Sequence, residues 1–283
     1  MSTEQKTRTI VITGASDGIG AVAARELAGP DVDLVVTGRS ADKLARVVDE
    51  TGATGFTADF TRFADVRALA AEIAEHTGRI DVLINNAGGT FDPRRLTPDG
   101  HEPNVQTNHL SPFLLTNLLH DRLAAAVDGA LVLNTSSVAN RWGRIDLDDL
   151  ERRGRRPSAQ LSYGNSKLMN ILFTKGIAQR WSGDGIVSAA VHPGVVATSF
   201  GRDTFFIRLG YQTPVKHLIA ITPEKGARPL IDLARRGADS AIDGVYFHRG
   251  RANGPRSRQA DDRALVDGLW AASAELVGLP SPA

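Results

Sequence analysis

The chain has 283 residues, 42% of them hydrophobic and 23% charged, which is ordinary for a globular protein that buries its own core. It has no cysteine, so a disulfide framework, a thiolate nucleophile and a cysteine zinc site are all excluded. Its 33 basic and 32 acidic residues leave a net charge of +1, which argues against a surface built for nucleic acid or membrane. No run reaches the roughly 20 apolar residues of a membrane span, and the polar residues 1–8 lack a signal-peptide core, so a cytoplasmic protein with no membrane span is expected.

In chain order, the apolar runs and amphipathic stretches predict a strand over 9–13, a helix over 19–28, a strand over 34–37 and a helix over 42–50. A weaker strand at 54–57, a helix at 63–76 and a strand at 82–84 follow, then a long helix over about 105–126. A strand at 130–133, a long helix over about 163–181 and a strand at 187–191 come next. A helix at 224–235, a strand at 244–247 and a helix over about 262–276 close the chain. Repeated strand–helix units predict a single-domain Rossmann-type α/β fold over residues 1–283. Its sheet is doubly wound, with about seven parallel strands, helices on both faces and ligands at the carboxyl ends of the strands. Two stretches read as surface loops: an insert at about 143–159 with Arg152, Arg153, Arg155 and Arg156, and residues 248–261, rich in Gly, Arg and Pro.

The loop Thr13-Gly14-Ala15-Ser16-Asp17-Gly18-Ile19-Gly20 lies between the first strand and the first helix. Glycines there let the backbone turn tightly and approach a pyrophosphate, and the helix N-terminus supplies free N–H groups and a favourable dipole. The G-x-x-x-G-x-G spacing resembles the short-chain dehydrogenase/reductase family, and the resemblance runs along almost the whole chain. Asn85-Asn86-Ala87-Gly88 resembles the family's N-N-A-G motif, and Pro193-Gly194-Val195-Val196-Ala197-Thr198 its P-G-x-x-x-T segment.

The second strand ends in Gly38 and Arg39, where an NAD enzyme usually carries a carboxylate for the ribose 2′-hydroxyl. Arg39 suits a 2′-phosphate, so NADP is expected, with NAD as the alternative; a solvated Arg39 is the plain reading. Asp17 stands against this preference, because some NADP-preferring relatives carry a basic residue there. The resemblance implies cofactor contacts from Gly14, Ser16, Asp17, Gly18, Ile19, Gly20 and Arg39. It also implies them from Asp59 and Phe60, Asn86, Ala87 and Gly88, and Pro193, Gly194, Val196 and Thr198. Asp59 has a second reading as a helix cap. Asn85 is implied to tie the central strands together.

Tyr163 and Lys167 are four apart and share a helix face. An ammonium beside a phenol favours the phenolate and tunes it for proton transfer. The resemblance implies Tyr163 as acid/base, Lys167 on the nicotinamide ribose, Ser137 on the substrate oxygen and Asn108 holding a water in the proton relay; Ser136 is the alternative serine. Ser137 and Tyr163 are 26 positions apart, longer than in most relatives. That gap, with Gly143-Arg144-Ile145, Ser166-Lys167-Leu168 and Asn170-Ile171-Leu172-Phe173-Thr174, resembles the retinol dehydrogenase and WW-domain oxidoreductase branch.

Hydride exchange with a small-molecule carbonyl or alcohol is therefore expected, on an apolar substrate. Phe200, Phe205, Phe206, Leu209 and Tyr211 of a substrate loop at about 199–222 line its pocket or belong to a core helix. The resemblance implies a homodimer or homotetramer through the helices at 105–126 and 163–181. The scattered histidines predict no metal site, and His192 reads as structural. Two alternatives remain open: a non-catalytic nucleotide-binding regulatory protein of the same fold, and a sugar-nucleotide epimerase.

Overall fold

A computed structural model describes residues 8–194 and 221–280. One eight-stranded sheet runs in the order β3-β2-β1-β4-β5-β6-β7-β8. Its strands are β1 (Arg8–Ile12), β2 (Val32–Gly38), β3 (Thr54–Thr57), β4 (Val82–Asn85), β5 (Ala130–Thr135), β6 (Ile186–His192), β7 (Val245–His248) and β8 (Arg251–Ala252). The first seven are mutually parallel. The eighth, not foreseen, is a two-residue strand that turns back antiparallel on β7, Phe247 opposite Ala252. Non-glycine residues Arg249 and Asn253 hold φ of 50° and 55° around that turn, where the sequence offers no alternating strand pattern.

Helices α1 (Gly18–Leu27), α2 (Ala41–Thr51), α3 (Phe63–His76), α4 (Ser111–Leu118), α5 (His120–Ala124), α6 (Ala159–Trp181), α7 (Pro223–Arg236) and α8 (Arg263–Leu276) cover both faces. Strand β1 shows why the sheet is apolar on both sides: Val11 belongs to one buried cluster with α3, α4, α6 and α8, while Ile10 and Ile12 belong to the other with α1 and α7. Asn85 ties the central strands as expected, donating to the Asn134 side chain at 3.0 Å and to Thr116 Oγ1 at 2.9 Å.

Two long helices differ from expectation. The segment foreseen as one helix over 105–126 is an α-turn Pro103–Val105, a π-helical turn Gln106–Leu110, then α4 and α5. Helix α6 starts at Ala159, capped by the Ser158 side chain, so Tyr163 lies inside its second turn rather than opening it. Most of α6 is buried, and α8 closes one of its sides. The Trp270 ring packs on Phe113, Phe173 and Trp181 at centroid distances of 5.1, 5.7 and 5.3 Å. It also leaves no room for a Cβ at Gly176, which would come within 2.8 Å of the indole.

The arginine-rich insert is anchored rather than free. Glu151, nearly buried, accepts from the Glu102 backbone N–H at 2.7 Å and pairs with Arg153 at 2.7 Å, and Arg155 pairs with Asp146 at 2.6 Å. Among the described residues no helix is long and apolar enough to cross a membrane, and no cluster of His, Asp and Glu is arranged to hold a metal.

Candidate active site

The glycine loop and the N-N-A-G loop are laced together at the carboxyl ends of β1 and β4. The Thr13 hydroxyl accepts from the Asn86 and Ala87 backbone N–H groups, each at 3.0 Å, and the Asn86 amide donates back to the Thr13 and Gly14 carbonyls at 3.0 and 3.1 Å. Two glycines are compelled by this packing. Gly14 has φ of +66°, and a Cβ on it would lie 2.7 Å from Ala87 Cα; a Cβ on Gly20 would lie 2.3 Å from the Gly14 carbonyl oxygen. The loop therefore presents backbone rather than side chains at the start of α1, the polarity that a pyrophosphate requires. Ser16 fits under Gly38, so the loop also touches the end of β2.

Asp17 caps α1 through the Gly18 N–H at 2.7 Å, and its other oxygen takes the Lys43 ammonium at 2.6 Å. Arg39 is exposed just beyond β2. Asp59 does not cap α3, whose N-cap is Arg62; it closes a tight turn instead, accepting from Thr61 N and Thr61 Oγ1 at 3.0 and 2.9 Å. Phe60 is buried, and its carbonyl accepts from Ser111 Oγ at 2.7 Å. Pro193 and Gly194 follow β6, while Val196, Thr198 and the aromatic residues 200–211 lie outside the described residues. His192 is buried, receives the Gly194 N–H at 3.4 Å, and is held by burial at a pKa of about 3, so it stays neutral as a structural group.

Three elements meet at the ends of β4 and β5: α6 with Tyr163 and Lys167, the turn after β5 with Ser137, and the π turn with Asn108. Lys167, buried, donates to the Thr135 carbonyl at 3.1 Å, and its Nζ stands 5.6 Å from the centre of the Tyr163 ring. The Ser137 side chain stands near enough to the Tyr163 phenol to lower its pKa. The Asn108 amide is fully buried, exchanging hydrogen bonds with Gly89 at 2.8 and 2.9 Å and donating to Ser166 Oγ at 3.0 Å, next to Lys167 in sequence. A Cβ on Gly88 would strike Asn108 Oδ1 at 2.4 Å and approach Lys167 Nζ to 3.5 Å, so that glycine lets the N-N-A-G loop sit against both. Extra backbone in a π turn re-aims side chains, which is how a straight amphipathic pattern comes to present Asn108 here.

The electrostatics differ from the sequence expectation. Burial pushes the Tyr163 phenol up to about 12, only partly offset by the Ser137 side chain, and pushes Lys167 down to about 7. Desolvation outweighs the attraction between the two groups in the protein chain alone.

The two serines are distinguished by geometry. The Ser136 hydroxyl is buried and donates to the Lys167 carbonyl at 2.8 Å, whereas Ser137 Oγ accepts from Ala139 N at 3.2 Å and keeps its proton for another acceptor. Ser136→Ala is therefore expected to keep kcat within about threefold while costing about 1 kcal/mol of stability. Ser137→Ala should lose on the order of 10²-fold in kcat. Parallel kinetics and urea melts would decide; the reverse pattern transfers the substrate-side role to Ser136. Sequence reasoning passed over Lys43 and Asn140, whose side chains reach Asp17 and Ser137 through contacts that no local spacing signals.

A parallel sheet with a glycine cradle at one strand end and a Tyr–Lys–Ser cluster at the next defines a dinucleotide-dependent oxidoreductase. Residues 8–205 match the short chain dehydrogenase family, and the chain belongs to it. It is similar to human retinol dehydrogenase 13, 36% identical over 286 residues, covering 97% of this chain and 86% of that one. It is 39% identical over 277 residues to a Streptomyces sp. (strain C5) protein provisionally named daunorubicin C-13 ketoreductase DnrU, covering 96% and 93% of the two chains. A crystal structure of an uncharacterised Mycobacterium Paratuberculosis protein superposes with a TM-score of 0.77 at 33% identity over 98% of this chain and 95% of that one. The chain is thus an enzyme of the retinol-dehydrogenase-like branch that acts on CH–OH groups with NAD(P). Both alternatives, the regulatory protein and the epimerase, give way to this.

Proposed function

We propose that the chain is an NADP(H)-dependent oxidoreductase interconverting an alcohol and a carbonyl on an apolar substrate. In this reading Tyr163 is the acid/base, Ser137 the donor to the substrate oxygen, Lys167 the ribose-binding cation and Asn108 the holder of the proton relay. The observation that carries it is the buried Lys167, its Nζ 5.6 Å from the Tyr163 ring, with Ser137 beside the phenol, at the carboxyl ends of the strands that also bear the glycine cradle. The cradle formed by Gly14, Gly18 and Gly20 fits a pyrophosphate, and Asn86, Ala87 and Gly88 border it. Bound there, the dinucleotide supplies the hydride donor or acceptor.

Tyr163, protonated at neutral pH, gives its proton to the oxygen of a carbonyl as that oxygen gains negative charge. Ser137 donates a hydrogen bond to the same oxygen. Lys167, in its charged form, stabilises the phenolate left behind, and Asn108 holds the path by which it is reprotonated.

Preference for NADP is supported by Arg39 and by the absence of a carboxylate at Gly38, and Lys43 neutralises the objection that Asp17 raised. Removing a charge-assisted hydrogen bond costs about 1.5–3 kcal/mol, so Arg39→Ala should weaken NADPH binding roughly 10- to 100-fold and leave NADH within about twofold. Fluorescence titrations of both would show it, and equal losses would end the NADP assignment. Two relatives take their names from retinol and from a ketone of daunorubicin, so the substrate screen should include retinoids and polycyclic ketones beside simple aldehydes, followed by NADPH absorbance. No oxidation of NADPH by any carbonyl in the panel would remove the proposal.

A further inference from the structure

Asn140 stands at the hub of the turn that carries Ser137. Strand β5 ends at Thr135, and Ser136 N still reaches the Val191 carbonyl of β6 at 2.8 Å, but Ser137 has no partner in the sheet ladder. Its Oγ accepts from Ala139 N at 3.2 Å, and its carbonyl is held by Asn140. The Ser137 carbonyl accepts from Asn140 N at 3.0 Å and from Asn140 Nδ2 at 2.6 Å. The same amide nitrogen donates to the Tyr246 hydroxyl on β7 at 3.2 Å, and Asn140 Oδ1 accepts from Ser257 N at 3.1 Å. Asn140 is fully buried, and Tyr246 is nearly so. Both amide protons and the amide oxygen are therefore committed, and the three bonds span from the Ser137 turn to β7 and to the loop that holds Ser257.

We infer that Asn140 is a positioning residue that sets Ser137 where its hydroxyl meets the reacting oxygen; the inference rests on the role proposed above for Ser137. Only an amide has this donor and acceptor set at this reach. Aspartate would keep the shape and the bond from Ser257, lose both donors, and turn a negative charge toward the Ser137 carbonyl. A hydroxyl displaced by a fraction of an ångström loses its hold on a transition state before it loses binding, because its bond matters most when charge has developed on the oxygen.

The test is a double-mutant cycle on the full-length chain, with kcat, substrate KM and coenzyme Kd measured for Asn140→Asp, Ser137→Ala and the pair. Asn140→Asp alone is expected to lower kcat about 30-fold, with KM and coenzyme Kd changed less than about threefold. In the Ser137→Ala background the same change is expected to cost less than about threefold, since no hydroxyl remains to be positioned. Tyr246→Phe removes only the brace from β7 and serves in the same cycle if Asn140→Asp does not fold; a fall of about threefold that vanishes with Ser137→Ala is the expected result. Losses that multiply in the double variant, or wild-type kcat in Asn140→Asp, overturn the inference. Absence of turnover in the wild-type chain overturns the reading of Ser137 itself, a failure the wild-type assay separates from the first.

Discussion

Tyr163→Phe is expected to lower kcat about 10³-fold while leaving coenzyme Kd within about twofold. General acid–base catalysis by a positioned side chain contributes roughly 10²–10⁴-fold, and here a single phenol carries the proton. The change deletes one oxygen from a ring that stays in place against α6, so packing and the Lys167 bond to Thr135 are preserved. The hydroxyl of Ser137 keeps its bond from Ala139 N and still faces the substrate in the proposed reading, which leaves residual rate above the uncatalysed reaction. Single-turnover measurement of NADPH oxidation separates chemistry from product release. A variant retaining a tenth or more of wild-type kcat would mean that the proton comes from elsewhere.

The second large effect is acid lability. His109 is fully buried on the π turn, its Nε2 2.8 Å from Ser273 Oγ, and burial holds its pKa near 3, offset only in part by the nearby Asn170 side chain. An unfolded histidine titrates near 6.5. Between those values the unfolded chain binds a proton that the folded chain refuses, so stability rises with pH across the window and is lost as pH falls from about 6.5 toward 3. Each pH unit costs about 1.4 kcal/mol per such histidine, or about 3 kcal/mol for His109 between pH 6.5 and 4.5. His192, also held near 3, acts in the same direction. His109→Gln keeps a neutral hydrogen-bonding side chain and should flatten the curve, its deficit at pH 7 shrinking or reversing by pH 4.5. Urea unfolding midpoints at four pH values measure this, and parallel curves for the two proteins would refute it.

Much of the fold was legible because its signals are local. The G-x-x-x-G-x-G spacing is imposed by contacts within one loop, as Gly20 against the Gly14 carbonyl illustrates. The Tyr163–Lys167 pair needs only helical periodicity, and Ser137 sits at a strand end marked by its apolar run. What stayed hidden depends on distant partners. The π turn at Gln106–Leu110 keeps every residue buried, so its hydrophobic pattern carries no trace of the extra backbone. Asn140 looks like any polar loop residue until β7 and Ser257 arrive beside it. The direction of the Tyr163 shift could not be read either, since proximity of an ammonium is written in the spacing whereas depth of burial is not.

The aromatic packing of α8 bears on how the chain is made. Phe113, Phe173 and Trp181 acquire their indole cover from Trp270, about 90 residues after the last of them is synthesised. Throughout that interval a nascent chain with most of its sheet in place presents a sticky aromatic wall beside α6. Chains cut short before Arg263 should accumulate in inclusion bodies or on chaperones rather than as smaller active enzymes, and the last turns of the protein are thus a checkpoint for its solubility.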